Sequence, residues 1–193
     1  MLIIDLSASG NFGSKTQSKV EVAAELAAIL GFSAIQNNDR VGLLLFTDHC
    51  EKYIPPKKGK KHVYRLLRDI FYHPPTGKKT SISAALDTCL KLNKKKSILF
   101  LISDFLDPDY QTMLRIASKK HDLVPIIIED PRETALPKAG LVCLKDAETD
   151  ALLYLNTADK DTRQRFRNII FSQKQEQDRF FKSIKVSPIP IRI

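Results

Sequence analysis

The sequence predicts an α/β protein with a doubly wound, mainly parallel sheet and helices on both of its faces. Short uncharged apolar runs recur along the chain, which is typical of strands buried on both faces. Stretches with apolar residues at helical spacing separate these runs. Strands that alternate with helices imply right-handed crossovers between parallel strands. The chain of 193 residues is expected to form a single domain, 1–193.

The first half of the chain supplies two buried strands and one edge strand. MLIID at the start and VGLLLF within 40–47 are apolar runs that predict buried strands. Residues 51–54 predict a short antiparallel strand that runs back, and the following Pro55 and Pro56 suit a protected sheet edge. Apolar spacing predicts helices over 15–36 and 61–72. The stretch HPPTGKK, 73–79, predicts a loop, after which Thr80 or Ser81 caps a third helix.

The second half continues the alternation and then becomes less regular. SILFLIS, 97–103, predicts a buried strand, followed by a helix over 108–120 and a strand over 123–129. Residues 130–140 read as a connection, and short strands are expected at 141–144 and 152–155. A long helix over 159–182 is expected to face inward with Phe166, Ile169, Ile170, Phe180 and Phe181. The final VSPIPIRI can form an edge strand at best, because of its prolines.

Composition excludes several classes of protein. The hydrophobic fraction of 43% is that of a globular chain. No apolar run approaches the roughly 18 residues that cross a bilayer, and Asp5 interrupts the N-terminal apolar stretch that a signal peptide would need. The three cysteines are widely spaced and expected to be buried, so a cytoplasmic, soluble domain is predicted. The net charge of +9 permits an acidic partner, but aromatic residues do not alternate with the lysines, so nucleic acid is not favoured.

Two predicted strands end in an aspartate. Asp5 ends the first strand and is followed by Ser7 and Ser9, while Asp104 follows the strand at 97–103. Ligands of doubly wound sheets bind outside the carboxyl ends of the strands, where the strand order reverses. If the two strands are neighbours there, these side chains and Thr80 converge. Carboxylates and hydroxyls suit magnesium, although a strand end followed by a serine-rich helix cap would give the same string.

The ordered set Asp5-Leu6-Ser7-Ala8-Ser9, Thr80 and Asp104 resembles the metal-ion-dependent adhesion site of von Willebrand factor A domains. More closely, the chain resembles the von Willebrand A portion of the bacterial family catalogued as domain of unknown function 58. The stretches that carry this resemblance span nearly the whole chain: DLSAS, DRVGLLLF, IPPKKG, LISDF, HDLVPIIIEDPRETALPKAG and KDAET.

The resemblance implies a site for Mg²⁺ or Mn²⁺. Ser7 and Ser9 would bind the ion directly, Thr80 directly or through water, and Asp5 and Asp104 mainly through water. One coordination position would stay open for an acidic residue of a partner protein. Neutral hydroxyl ligands leave an ion electropositive, which suits that role.

The chain departs from the family pattern beside Thr80. Lys78, Lys79 and Ser81 stand where the family commonly has two glycines and an aspartate. The added positive charge is expected to lower metal affinity and to attract an acidic partner directly. These three residues, with Phe105, form the predicted partner-binding set, although packing is the alternative role for Phe105.

The resemblance implies a non-enzymatic, metal-dependent protein-interaction domain that works with a MoxR-type AAA+ ATPase in assembly or maturation of client proteins. It also implies a region before residue 1, often with membrane-spanning helices, so that the full-length protein would be membrane-anchored. One alternative is a haloacid-dehalogenase-like magnesium-dependent phosphatase, with Thr80, Lys95 or Lys96, and Asp104 in roles beside Asp5. Such a phosphatase would need a second aspartate two residues after Asp5 as its general acid, but Ser7 occupies that position. The other alternative is a basic surface that binds polyanions.

Overall fold

A computed structural model describes residues 1–8, 13–14, 17–145 and 152–193. The main sheet has six strands in the order β10-β7-β6-β1-β4-β5. Each neighbouring pair is parallel except β4–β5, which is antiparallel. The α/β doubly wound fold with one antiparallel edge strand is therefore confirmed.

The strands and helices have the following bounds. The strands are β1 Leu2–Asp5, β2 Gly13–Ser14, β3 Gln17–Ser18, β4 Val41–Phe46, β5 Cys50–Lys57, β6 Ile98–Ser103, β7 Asp122–Glu129, β8 Leu141–Lys145, β9 Leu152–Asn156 and β10 Ile189–Arg192. The helices are α1 Lys19–Gln36, α2 Lys60–Tyr72, α3 Ile82–Leu92, α4 Gln111–Lys120 and α5 Lys160–Ser183, with a 3-10 turn at Pro131–Glu133.

Helices cover both faces of the sheet because successive strand residues point to opposite sides. In β1, Ile3 packs into a core formed with α3, α4 and the end of α5. Leu2 and Ile4 pack into a second core, formed with α1 and α2. All three side chains are buried, which explains why the central strand reads as an uninterrupted apolar run.

Both edge strands contain proline, and Pro125 lies within the interior strand β7. β5 continues through Pro55 and Pro56 to Lys57, beyond the expected end at Ile54. β10 pairs with β7 only, and Pro190 lies within it. An edge strand tolerates proline because the missing N–H can face away from the ladder.

Three local expectations differ from the structure. Helix α1 begins at Lys19 rather than residue 15, because the Ser18 side chain caps it and Glu21 completes a capping box. In α5 only Phe180 and Phe181 are buried, and Ile169 is 58% exposed, because the first part of this helix extends beyond the core. Cys89 is buried as expected, but Cys143 is exposed on the β8–β9 hairpin.

Candidate functional site

The candidate site lies where the strand order reverses. β1 pairs with β6 on one side and with β4 on the other, so the chain winds outward in both directions from β1. Asp5 ends β1, and Asp104 directly follows β6. The sequence-based condition for convergence, that these two strands are neighbours, is met, and the two aspartates lie at the switch point of the sheet.

Asp5 is buried and held by hydrogen bonds from Ser7 and Ser103. Its Oδ1 accepts from the Ser7 N–H at 2.9 Å, and its Oδ2 accepts from the Ser103 hydroxyl at 2.6 Å. Burial and the nearby Asp104 carboxylate raise the pKa of Asp5 to about 6, although the bonds from Ser103 and Ser7 oppose this shift. Ser7 is fully buried. A cation beside this pair of carboxylates would stabilise both in their charged forms.

A lysine supplies such a positive charge. The Lys19 Nζ lies 2.9 Å from Asp104 Oδ2 and 2.6 Å from Glu133 Oε1. The side chains of Lys19 and Asp104 are each 4% exposed, whereas that of Glu133 is 28% exposed. Burial alone would lower the pKa of Lys19, but the two carboxylates outweigh this effect, so the pKa is raised and the ammonium stays charged.

A left-handed turn after β6 places Asp104. Phe105 has a φ of 57°, a conformation that is strained for a bulky residue. Its N–H donates to the Ser103 hydroxyl at 3.1 Å, and its ring packs edge-on against Tyr110 and Phe181. Because Phe105 is only 4% exposed, its side chain belongs to the core beneath the site. The packing role describes its position better than the predicted partner contact does.

The loop that carries Thr80 is fixed at both of its ends. The Ala8 N–H donates to the Lys78 carbonyl at 3.0 Å, which joins the loop to the segment after β1. The Ser81 N–H donates to the Thr47 carbonyl at 2.9 Å, and the Ser81 hydroxyl caps α3 by accepting from the Ala84 N–H. Thr80 therefore lies at the same edge of the sheet as Asp5. The Lys78 and Lys79 side chains are exposed there.

Glu51, which the sequence analysis did not single out, organises this loop. Its Oε1 accepts from the Thr47 hydroxyl at 2.8 Å and from the N–H groups of Thr76 and Gly77 at 2.9 Å each. His49 and His73 flank it at 3.6 Å and 3.5 Å. The Glu51 side chain is only 3% exposed. The Glu51 carboxylate thus accepts hydrogen bonds from loop N–H groups that have no backbone acceptor.

The Glu51 cluster makes a prediction about pH. Burial alone would raise the pKa of Glu51, but the hydrogen bonds from Gly77, Thr47 and Thr76 outweigh it and lower the pKa to about 2, from an ordinary value of 4.5. The charged carboxylate thus stabilises the fold fully above pH 4.5, and this contribution is lost as the pH falls toward 2. Urea unfolding of wild type and Glu51→Gln should give a difference in unfolding free energy that shrinks as the pH falls through this interval. A difference independent of pH would contradict the assignment.

The described residues fit a hard cation in the kind of donors they offer. Asp5, Ser7, Thr80 and Asp104, which offer carboxylate and hydroxyl oxygens, lie at one edge of the sheet. Among the described residues, no group of three or more His, Cys, Asp or Glu side chains could hold a metal ion. A site here would thus depend on hydroxyl oxygens as well as carboxylates, as Mg²⁺ permits. Ser9, also a predicted ligand, lies outside the described residues.

A cavity of about 320 Å³ lies next to this site, between the ends of β6 and β7 and helix α5. Asp104 and Glu133 line its side toward Lys19, while Phe105, Tyr110 and Ile170 contribute apolar surface. The cavity is large enough for a side chain of a bound protein. It places apolar surface directly beside the paired charges.

The ion pairs that Lys19 forms with Asp104 and Glu133 could not have been identified from sequence. Lys19 lies 85 positions from Asp104 and 114 from Glu133 along the chain. Asp130, close to Glu133 in sequence, pairs instead with Arg132 at 2.8 Å. A single lysine at the start of a helix, in a chain with many lysines, carried no signal of its own.

Solved structures share the fold. A conserved hypothetical protein, BatB, from Bacteroides thetaiotaomicron superposes with a TM-score of 0.62 at 12% identity, covering 99% of this chain and 88% of that one. An aerotolerance-related membrane protein from Bacteroides fragilis superposes with a TM-score of 0.64 at 14% identity, covering 98% and 89%. In the described part of this chain, no helix is both long enough and apolar enough to span a membrane.

Two mycobacterial proteins, each described as an uncharacterized protein, are similar in sequence. A protein of Mycobacterium tuberculosis is 31% identical over 151 residues, which are 77% of this chain and 48% of that protein. A protein of Mycobacterium avium is 33% identical over 99 residues, 50% of this chain and 59% of that protein. The match thus spans about half the length of the first of these relatives.

The model of the family described as "Protein of unknown function DUF58" matches residues 1–176. Because this match covers nearly the whole chain, the chain belongs to the DUF58 family.

Proposed function

We propose that the chain is a non-enzymatic protein-interaction domain that binds an acidic residue of a partner through a cation held at the switch point of the sheet. The observation that carries this proposal is that two buried carboxylates, those of Asp5 and Asp104, lie close together at that edge. A cation that is incompletely neutralised attracts a further carboxylate. The exposed Lys78 and Lys79 add positive charge on the adjacent loop.

The cation held in the site would be Mg²⁺ or Mn²⁺. In this proposal, Ser7 and Thr80 offer hydroxyl oxygens to the ion, and Asp5 and Asp104 offer carboxylates. When bound, the ion would supply an electropositive centre for the incoming carboxylate. The chain's own residues orient the site: Ser103 and the Ser7 N–H fix the Asp5 carboxylate, and Glu51 fixes the loop that carries Thr80.

The proposed partner is a MoxR-type AAA+ ATPase or its client, as the family resemblance implies. The cavity beside Asp104 supports a protein partner, because it would receive an apolar side chain next to the bound carboxylate. The similar Bacteroides fragilis protein is described as a membrane protein. We propose that this domain lies on the cytoplasmic side of a membrane to which a preceding region anchors it.

Binding of the ATPase to wild-type and Asp5→Asn chains tests the proposal. Asp5→Asn keeps the side chain's shape but removes its charge, and we expect it to weaken binding in the presence of Mg²⁺ by about tenfold or more, because a buried charged contact is lost. The matched control is Asp87→Asn, which removes the same charge from an exposed pair with Lys91 on α3. Calorimetry or surface binding would provide the dissociation constants.

Three outcomes would overturn parts of this proposal. Equal ATPase binding by wild type and Asp5→Asn would show that the ATPase does not bind through this site. A wild-type chain that binds no ATPase would show that the ATPase is not the partner. Hydrolysis of a generic phosphoester by wild type, lost in Asp5→Asn, would favour the phosphatase alternative instead.

A further inference from the structure

Lys19 is an unusual residue for its position. It is the first residue of α1, where the positive end of the helix dipole disfavours a cation. It is also 3% exposed, and a buried ammonium is unfavourable unless carboxylates pair with it. Its two partners come from different parts of the sheet edge: Asp104 follows β6, and Glu133 ends the 3-10 turn after β7. These contacts hold the ammonium beside the Asp104 carboxylate, which is also a proposed ligand of the metal ion.

The ammonium and a divalent ion would compete for one carboxylate. Lys19 uses Asp104 Oδ2, while Asp104 Oδ1 accepts from the Leu106 N–H at 3.3 Å. A small cavity of about 10 Å³ lies between Asp5, Lys19, Ser103 and Asp104. This space is about that of one water molecule. A doubly charged ion placed there would lie beside the ammonium, and two like charges at such short range repel each other.

We propose that Lys19 occupies the cation position of the site in the metal-free protein, and that a divalent ion binds only when the ammonium leaves Asp104. This inference rests on the cation site of the proposed function and adds the way in which that site is controlled. Lys19 sets the affinity for the ion. Glu133 contributes by holding Lys19 in place, which links the segment after β7, and the cavity that Glu133 lines, to metal binding.

A Mn²⁺ titration of three variants tests this competition. Lys19→Met removes the charge while keeping an unbranched side chain, and we expect it to bind Mn²⁺ about tenfold more tightly than wild type because the repulsion is gone. Glu133→Gln weakens the hold on Lys19 and should tighten binding a few-fold. The control Lys52→Met removes the same charge from a pair with the buried Asp69, at 3.1 Å, and should match wild type.

The readout is selective paramagnetic broadening of amide signals near Ser7, Thr80 and Asp104 in NMR spectra. Adding Asp5→Asn to Lys19→Met should abolish the tight binding, and persistence of tight binding would place the ion elsewhere and overturn the inference. Mn²⁺ affinity in a folded Lys19→Met equal to or below that of wild type would also overturn it. If Lys19→Met fails to fold, Glu133→Gln decides, because its partly exposed side chain is not required in the core. An unchanged affinity in that variant would overturn the inference.

The same measurements separate this inference from the proposed function. If Lys19→Met tightens Mn²⁺ binding but Asp5→Asn leaves ATPase binding unchanged, the competition for the ion stands, and the ATPase does not bind through this site. If ATPase binding depends on Asp5 while Lys19→Met leaves Mn²⁺ affinity unchanged, the interaction site stands and the competition is wrong.

Discussion

Without added metal, Lys19→Met is expected to lower the free energy of unfolding by about 3–5 kcal/mol, because removing one partner of a buried ion pair leaves the other charge uncompensated. The abandoned charge is Asp104, whose side chain is 4% exposed. Chemical denaturation measures the effect. Most of the loss should be recovered in Lys19→Met/Asp104→Asn, which removes both charges.

The matched control for this prediction is Lys91→Met. Lys91 also pairs with a carboxylate, Asp87, at 2.6 Å, but the two side chains are 71% and 48% exposed. Exposed pairs contribute roughly 0–1 kcal/mol. A similar loss of stability in Lys19→Met and Lys91→Met would show that the Lys19 pair is not buried in solution.

Gly77→Ala is expected to lower the free energy of unfolding by about 1–3 kcal/mol, the usual cost of forcing an extra group into a packed position. A Cβ at Gly77 would lie 2.9 Å from the Thr47 Cβ and closer still to the Thr47 hydroxyl and the Asp48 carboxylate. The loop would have to move, which would disturb the Gly77 N–H bond to Glu51. Thr80 lies three positions further along the same loop.

The effect of Gly77→Ala should therefore extend to the site. Amide chemical shifts of Lys78 to Ser81 and of Ala8 should change, since Ala8 donates to the Lys78 carbonyl. Gly59→Ala is the comparison, because a Cβ there meets nothing within 4 Å, although its φ of 103° adds local backbone strain. Shift changes near Ala8 in Gly59→Ala but not in Gly77→Ala would contradict the assigned role of Gly77.

The sequence determined the order and kind of nearly all the elements of the main sheet. Buried parallel strands read as apolar runs because both of their faces are covered, as for β1, β4 and β6. An aspartate marks the end of β1 and of β6, so Asp5 and Asp104 can be placed at one edge if these two strands are neighbours. The start of α1 was less accurate because the local capping by Ser18 and Glu21 overrides the apolar periodicity.

Which charges meet at that edge follows from folding and not from any local sequence pattern. The partners of Lys19, and the Thr76 and Gly77 amides that bind Glu51, come from segments far away in the chain, and long-range pairing leaves no periodic pattern in sequence. The same holds for the exposure of Ile169, because a helix that extends past the core keeps its apolar spacing. The sequence thus determined the scaffold and the aspartates of the candidate site. Folding brings the start of α1, the end of β6 and the turn after β7 together. It thereby places the Lys19 ammonium beside Asp104 and Glu133, which no local pattern in the sequence predicts.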